Sequence, residues 1–312
     1  MRFNPKARLD TSRVGDGGGG SGGGGPMRIP IPGGTRAGGG IGGILIIILF
    51  VLLTQCLGGG LGGGTGSGTD TTSQGGTDTS RMGDSERYAN CKTGADANTD
   101  EDCARVAVEN SLYNFWSTQF SSGFKPATMM TFSGAVNTGC GQATSQVGPF
   151  YCPNDQQIYL DTTFFQDVLE GQLGGKGGDF VEPYVIGHEY GHHIQNLMGT
   201  MGKVRTQQGP ESDAVRLELQ ADCYAGLWTN AATGTTDTDG VAIFSDLDDA
   251  DIQEALDAAK TVGDDRIQQK SGQGVDPEGW THGSSEQRMH WFMTGYQDGT
   301  IEDCDTFSAS SL

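Results

Sequence analysis

Three of the five histidines in the chain fall in one short stretch, from His188 to His193. His188 and His192 are four residues apart, close to one turn of an α-helix, so their imidazoles would project from the same face and could hold one metal ion. Glu189 would lie beside that ion and could take a proton from a water molecule. The spacing H-E-x-x-H therefore predicts a zinc site that hydrolyses peptide or related amide bonds.

The residues around this motif predict the helix that the motif requires. Asp179 and Glu182 could form a capping box, and Pro183 falls in the first turn, where a missing N–H costs little. Apolar residues recur with helical spacing along the segment, and Gly199 is suited to end it.

A second predicted helix, over residues 210–228, follows the first and carries Glu218 and Asp222 on one face. A helix with E-x-x-x-D after an H-E-x-x-H helix resembles the gluzincin arrangement of thermolysin-like peptidases. The resemblance implies that Glu218 binds Zn²⁺ as the third ligand. It also implies that Asp222 hydrogen-bonds to one of the two ligand histidines, which would fix its tautomer and raise its basicity.

The predicted ligand set of His188, His192 and Glu218 would leave one coordination position open for water. An open position is typical of a catalytic rather than a structural zinc site. Glu211 and Asp213 remain alternatives to Glu218, because both lie shortly before it in the chain.

Peptide hydrolysis also needs a donor that stabilises the oxyanion of the tetrahedral intermediate. His282 lies on a predicted loop and is a candidate catalytic residue for this role, as is Tyr224 beside the second metal helix. A structural, hydrogen-bonding role is the alternative for His282. His193 would point off the ligand face and His290 lies inside a predicted helix, so both are predicted to be structural.

The charge distribution excludes one class of partner. The chain has a net charge of −20, with +4 in the first 57 residues and −24 in the remainder. So acidic a domain would repel a phosphate backbone, and we expect no nucleic-acid partner.

An uncharged stretch near the N-terminus predicts a membrane anchor. No charged residue falls between Arg36 and Asp70, and we predict a transmembrane helix over residues 37–61, long enough to cross a bilayer. Its basic flank is N-terminal, which predicts a single-pass membrane protein with a cytoplasmic N-terminus and a catalytic domain in the periplasm or at the cell exterior. A cleaved signal peptide is the alternative.

Glycine-rich stretches divide the chain around this anchor. Residues 1–36 are predicted to be a disordered, basic, glycine-rich cytoplasmic segment, and residues 62–82 a flexible linker. Residues 83–312 would form the zinc metallopeptidase domain, which is long enough for a single core.

The cysteines agree with an oxidising compartment. Apart from Cys56, six remain, an even number that fits three disulfides. Spacing favours Cys91–Cys103 and Cys140–Cys152, which leaves Cys223–Cys304. A cysteine-rich zinc site is the alternative, but the chain contains no C-x-x-C pair.

The predicted fold class is α+β, a mainly helical zincin-like domain with a small β-sheet, preceded by the glycine-rich N-terminus and one transmembrane helix. Besides the two metal helices, we predict helices over residues 102–120, 245–260 and from Ser284 or Ser285 to Tyr296. Strands are predicted over 132–136 and 157–161. The second strand could lie at the edge of the sheet and pair with an extended substrate, with an ordinary core strand as the alternative.

Several segments together resemble one family of proteins. They are GPFYCP at 148–153, YLD at 159–161, HEYGHH at 188–193, ELQADCYAG at 218–226 and THGSS at 281–285. In this combination, after a glycine-rich N-terminus with one anchor, the chain is similar to the bacterial neutral zinc metallopeptidases from the anchor to the end. The resemblance implies a Zn²⁺ cofactor and a zinc metallopeptidase of the cell envelope.

We therefore predict a membrane-anchored zinc endopeptidase that acts on peptide or protein substrates, with a zinc-activated water and Glu189 as general base. Two alternatives remain. One is a non-catalytic envelope binding or scaffold protein that zinc stabilises, and the other is a metal hydrolase acting on a non-peptide amide, such as a cell-wall crosslink.

Overall fold

The computed structural model describes residues 1–19, 86–145, 147–272, 274–297 and 299–312. Its helices are α1 (Gly94–Ala97), α2 (Glu101–Gln119), α3 (Val181–Leu197), α4 (Asp213–Ala231), α5 (Asp249–Thr261), α6 (Asp264–Ser271) and α7 (Ser285–Tyr296). Short 3₁₀- or π-helical segments occur at Glu86–Tyr88, Phe165–Glu170, Thr200–Lys203, Ala232–Gly234 and Pro277–Gly279.

Small sheets accompany these helices. The strands are β1 (Arg2–Phe3), β2 (Val14–Gly19), β3 (Thr128–Ser133), β4 (Ala135–Thr138), β5 (Gly141–Thr144), β6 (Phe150–Cys152), β7 (Gln157–Asp161) and β8 (Phe244–Asp246). The largest sheet has the order β2-β3-β7-β6, in which β2, β3 and β7 are parallel and β6 is antiparallel to β7. The mixture of helix and sheet agrees with that part of the predicted fold class.

Three long helices begin where a side chain caps the first turn. Asp100 starts α2, Ser212 starts α4 and Ser284 starts α7, and each side chain accepts a hydrogen bond from a backbone N–H of the helix that follows. Such caps satisfy donors that have no partner inside the helix, and their signal is local in sequence. The predicted helices at these positions therefore differ from the observed ones by only a few residues.

The start of α3 lacks the capping box that the sequence predicted. The helix begins after Phe180 without a side-chain cap, so Asp179 lies outside it and forms no capping box. Glu182 in the first turn instead forms an ion pair with Arg105 of α2, and both groups are largely buried. Tertiary contact therefore fixes the start of this helix.

The two predicted strands also need correction. The predicted strand 132–136 is divided into β3 and β4 at Gly134, whose φ of 84° ends the extended run. Residues 157–161 form β7 as predicted, but β7 lies between β3 and β6 and pairs with both. Its backbone groups are already used, so it is not an edge strand to which a substrate could add.

Residues 1–19 fold as part of the domain, whereas the sequence predicts a disordered segment there. β2 pairs with β3 in the main sheet. Asn110 of α2 exchanges two hydrogen bonds with the backbone of Asp10, at 2.7 and 2.8 Å, and Arg13 pairs with the buried Glu109 at 2.7 Å. These partners lie about a hundred residues away, so the local composition of the segment did not reveal them.

The predicted single-pass membrane topology is contradicted. No helix in the described part of the chain is long and apolar enough to cross a membrane. The predicted span, residues 37–61, and the linker over 62–82 lie outside the described residues. Residues 1–19 pack on the same domain as the rest of the described chain. The predicted topology puts these residues and the domain on opposite sides of a membrane, which is incompatible with this packing.

The two disulfides favoured by spacing, Cys91–Cys103 and Cys140–Cys152, are present, and so is the remaining pair, Cys223–Cys304. The first two close short loops of equal sequence separation. The third joins α4 to the C-terminal segment, which we define as residues 299–312, across 81 positions of sequence. It holds this segment against the helix that carries Glu218.

α4 is the central helix of the domain and packs against both α3 and α7. Gly226 of α4 and Gly295 of α7 lie at the contact between these two helices. A Cβ on Gly226 would lie 2.0 Å from the carbonyl oxygen of Phe292, and a Cβ on Gly295 would lie 2.0 Å from that of Cys223. The two backbones therefore touch, and this close approach brings Arg288 of α7 onto the surface of α4.

Candidate metal centre

His188, His192 and Glu218 converge in the interior of the domain. The Nε2 atoms of the two histidines lie 3.2 and 3.5 Å from the carboxylate oxygens of Glu218, and the three potential ligand atoms lie within 4.8 Å of one another. All three side chains are buried. Gly191 permits this approach of α3 to α4, because a Cβ there would lie 3.0 Å from the carbonyl oxygen of Ala221.

Asp222 orients His188. Its Oδ1 accepts hydrogen bonds from His188 Nδ1 at 2.8 Å and from the Tyr184 hydroxyl at 2.6 Å, and Arg288 donates to both carboxylate oxygens at 2.9 and 3.0 Å. With one hydrogen held on Nδ1, His188 directs Nε2 at Glu218, and Nε2 is the atom that a metal can bind once its own proton has left. Sequence analysis missed Tyr184, although it lies one helical turn before the motif, and nothing local indicated Arg288.

A separate contact orients His192. Its Nδ1 donates to Gln195 Oε1 at 2.8 Å, and the Gln195 amide donates to the carbonyl of Leu217 at 2.6 Å and to Oε1 of Gln220 at 3.2 Å. Both histidines thus direct Nε2 at Glu218. Gln195 was also missed, although its place three residues after His192 puts it on the same face of α3.

Glu189 lines a pocket that adjoins these groups and that is also lined by Phe164, Val185 and Val262. Burial raises the pKa of the Glu189 carboxyl above its ordinary value, and the neighbouring imidazoles oppose this effect only in part. A carboxylate with a raised pKa is suited to take up and release a proton near neutral pH.

His282 lines the same pocket and is held in place by Asp264, the first residue of α6. Asp264 Oδ2 accepts hydrogen bonds from the backbone N–H groups of Thr281, His282 and Gly283, at 2.7, 2.7 and 3.1 Å. Burial alone would lower the pKa of His282, but the carboxylates of Glu218 and Asp264 outweigh it and raise the pKa. The two carboxylates thus stabilise the charged, donating form of this imidazole relative to a free histidine.

The alternatives considered for the third ligand and the oxyanion donor lie elsewhere. Glu211 pairs with Arg216 at 3.0 Å. The Asp213 carboxylate accepts hydrogen bonds from two backbone N–H groups of the preceding loop, and the Tyr224 hydroxyl contacts Met198 Sδ.

The two histidines predicted to be structural differ in their surroundings. The buried His193 donates from Nε2 to the carbonyl of Lys125 at 2.7 Å and accepts from the Tyr151 hydroxyl at 3.0 Å. Burial lowers its pKa to about 4, so it is neutral. His290 is exposed on α7.

Comparisons with known proteins place the chain in a family. Residues 4–307 match the model of a family described as "Putative neutral zinc metallopeptidase". The chain is 52% identical over 224 residues to "Uncharacterized protein Rv2575" of Mycobacterium tuberculosis (strain ATCC 25618 / H37Rv), covering 71% of this chain and 76% of that protein. It is 41% identical over 204 residues to "Uncharacterized protein YpfJ" of Escherichia coli (strain K12), covering 62% and 67%. No solved structure matches the chain.

The chain therefore belongs to the neutral zinc metallopeptidase family, as the resemblance predicted. Its cofactor is Zn²⁺, and the substrates of a peptidase family are peptides or proteins. The match begins at residue 4, so it includes β2, the N-terminal strand that pairs with β3 in the main sheet.

Binding of Zn²⁺ is expected to release about one proton from His188. In the metal-free protein, burial opposes protonation of this imidazole, but Asp222 and Glu218 outweigh burial and raise its pKa from 6.5 to about 10. A zinc ligand must be neutral, so from about pH 7 to about pH 9 the metal displaces this proton, and the number of protons released falls as the pH rises through about 10. Isothermal titration calorimetry in buffers of different ionisation enthalpy measures the number of protons released for each Zn²⁺ bound.

Asp222→Asn is the control for this measurement. The variant removes a carboxylate that raises the pKa of His188, so fewer protons should be released near neutral pH. Proton-independent zinc binding by the unmodified protein at about pH 8 would contradict the expectation.

Proposed function

We propose that this protein is a zinc endopeptidase in which His188, His192 and Glu218 hold the metal. Two imidazole nitrogens and a carboxylate oxygen are ligands that Zn²⁺ prefers, and three protein ligands leave one position open. One observation carries the proposal: both Nε2 atoms face the Glu218 carboxylate, while both Nδ1 atoms are engaged, by Asp222 and by Gln195. That arrangement leaves three lone pairs directed at one point.

Glu189 is the proposed general base. When bound, Zn²⁺ supplies Lewis acidity, which lowers the pKa of water at the site and polarises the scissile carbonyl. Glu189 takes a proton from the water while the water oxygen attacks the carbonyl carbon. Glu189 then delivers that proton to the leaving amine nitrogen. The carboxylate is ionised again at the end of the cycle, and its raised pKa suits it to hold the proton between the two transfers.

His282 is proposed to stabilise the negative charge that develops on the carbonyl oxygen. A donor in this role is most effective when it is fixed before the reaction begins. Asp264 fixes the loop through three backbone N–H groups, and the raised pKa of His282 favours the imidazolium. Tyr224 is less suited, because its hydroxyl contacts Met198.

The arrangement of the site favours a catalytic role over a zinc-stabilised scaffold. A structural zinc site is closed by four protein ligands, whereas the group that surrounds the predicted metal position in the described residues has three. A pocket containing Glu189 and His282 adjoins it. A hydrolase of non-peptide amides would need the same groups. Assays with peptide and non-peptide substrates therefore distinguish the two functions.

Metal-dependent cleavage of a peptide library tests the proposal. Zinc-loaded protein is expected to cut internal bonds in a proteome-derived library, read by mass spectrometry, and a chelator is expected to stop cleavage until Zn²⁺ is restored. His188→Ala should lose both zinc and cleavage, because two ligands hold Zn²⁺ weakly. His290→Ala changes an exposed histidine of α7 and should keep both.

Cleavage that persists in the chelated protein or in His188→Ala would refute the proposal. One retained Zn²⁺ per chain without hydrolysis of any amide would favour the scaffold. Hydrolysis of isolated cell-wall crosslinks, with the peptide library left intact, would favour the non-peptide hydrolase.

A further inference from the structure

A chain of hydrogen bonds leads from His192 to the C-terminal segment. His192 Nδ1 donates to Gln195 Oε1, Gln195 Nε2 donates to Gln220 Oε1, and Gln220 Nε2 donates to the carbonyl oxygen of Cys304, at 2.8, 3.2 and 2.9 Å. Gln195 is 0% exposed and Gln220 is 4% exposed. Neither amide can exchange its partner for bulk water, so the chain is a fixed feature of the interior.

Backbone carbonyls, which only accept hydrogen bonds, set the direction of this chain. The Cys304 carbonyl requires Gln220 to present its NH₂ group, so Gln220 Oε1 faces Gln195. Gln195 must then present its own NH₂ group to Gln220 and to the carbonyl of Leu217, which leaves Oε1 as the acceptor for His192. His192 is thereby held with its hydrogen on Nδ1 and its lone pair on Nε2.

The Cys304 carbonyl, the last acceptor of this chain of hydrogen bonds, is held firmly against α4. Cys304 is bonded to Cys223, which lies three residues after Gln220 on that helix. The Thr306 hydroxyl donates to the carbonyl of Arg216 at 2.6 Å, and the Arg216 guanidinium donates back to the Thr306 carbonyl. The Cys304 carbonyl is therefore fixed relative to the helix that carries the third ligand.

We propose that Gln195 and Gln220 are positioning residues of the metal centre, through which the disulfide-anchored C-terminal segment orients His192. This inference rests on the proposed role of His192 as a zinc ligand. The two ligand histidines are then oriented by separate networks. A buried carboxylate–arginine pair acts on His188, and a neutral amide chain that ends at a backbone carbonyl acts on His192. Loss of such a partner weakens metal binding about 10- to 100-fold.

Methionine substitutions test the proposal, because methionine keeps the length of the side chain and removes the amide. Gln195→Met is expected to weaken Zn²⁺ binding about 10- to 100-fold, measured by competition with a chromophoric chelator. Gln220→Met should weaken it by a smaller factor. Because Gln220 acts through Gln195, the double variant should bind Zn²⁺ no more weakly than Gln195→Met alone. The visible absorption bands of Co²⁺-substituted protein should shift in both single variants.

Thr306→Val is the matched control. This variant removes another buried hydrogen bond of the same segment, the one to Arg216, and leaves the amide chain intact. It is expected to lower the thermal stability of the protein without changing its affinity for Zn²⁺ or its Co²⁺ spectrum. The comparison separates orientation of His192 from general loosening of the C-terminal segment.

Equal Zn²⁺ affinity in Gln220→Met and Thr306→Val would overturn the inference, and so would independent, additive effects of the two glutamine substitutions. If Gln220→Met does not fold, Gln220→Glu replaces it: the carboxylate still accepts from Gln195 but repels the Cys304 carbonyl, so binding should again weaken, and unchanged binding would overturn the inference. Failure of the proposed function has different signatures. Either the unmodified protein binds no stoichiometric Zn²⁺, or it binds Zn²⁺ and cleaves no peptide while the variants keep the expected order of Zn²⁺ affinity.

Discussion

Glu189→Gln is expected to retain one Zn²⁺ per chain and to lose peptide hydrolysis by about 10³-fold or more. Glutamine has nearly the shape of glutamate, so the packing of the pocket and the positions of His188 and His192 should not change. Its amide cannot take a proton from water or return one to the leaving amine. Elemental analysis measures the zinc, and the rate of cleavage of peptides identified from the library measures the chemistry.

Glu211→Gln is the control for this variant, since it makes the same chemical change at an exposed glutamate that pairs with Arg216. It should keep both zinc and activity, and it also tests the alternative third ligand that the sequence left open. Undiminished hydrolysis in Glu189→Gln would remove Glu189 from the mechanism. Loss of zinc from that variant would show instead that Glu189 is a ligand.

Gly295→Ala is expected to lower the free energy of unfolding by about 3 kcal/mol or more. The added Cβ would lie 2.0 Å from the carbonyl oxygen of Cys223 and 2.8 Å from the amide nitrogen of Leu227. Both are backbone atoms of α4, so relief requires that α7 move away as a whole. For a domain of this size the melting temperature should fall by roughly 6–12 °C. Arg288 moves with α7, so its contact with Asp222 should weaken and zinc affinity should fall as well.

Gly234→Ala is the matched control, because this glycine is exposed and a Cβ on it would have no neighbour within 4 Å. Its stability should stay within about 0.5 kcal/mol of the unmodified protein. Comparable stability of the two variants would show that α4 and α7 do not approach as closely as described. Loss of stability in Gly295→Ala with unchanged zinc affinity would separate helix packing from the orientation of Asp222.

The candidate ligands could be named from the sequence because much of the information is local. His188 and His192 share a helix face through their spacing alone, and Glu218 with Asp222 repeats that spacing on a second helix. The resemblance to gluzincins then supplied the pairing of the two helices, which spacing does not contain. The predicted disulfides agree with the structure for a related reason, since two of them close short loops and the third uses the remaining pair.

The partners that orient the ligands were only partly accessible from sequence. Tyr184 and Gln195 lie within one helical turn of His188 and His192, so the spacing that identified the motif could also have identified them. Arg288 and the carbonyl of Cys304 come from segments more than 60 residues away from the groups that they contact. No local pattern joins such pairs, because only the packing of α7 and of the C-terminal segment on α4 brings them together.

The prediction of disorder was wrong for residues 1–19, for a similar reason. A basic, glycine-rich composition favours disorder when a segment is considered alone. In the folded protein Arg13 of this segment pairs with the buried Glu109, and β2 extends the main sheet. The acidic domain supplies a favourable partner to Arg13 of this segment, and that gain depends on contacts between distant parts of the chain.

The sequence by itself indicated the metal, the two histidines expected to bind it and the glutamate expected to act as base, because helical periodicity converts spacing directly into a shared face. The resemblance to gluzincins added Glu218 as the expected third ligand. Packing decided how those residues are held: which carboxylate and which amide orient each histidine, how closely α4 meets α7, and where residues 1–19 lie. The physical difference is one of range. Periodicity acts within one element, whereas hydrogen-bond partners, buried ion pairs and backbone contacts arise only when separate elements meet.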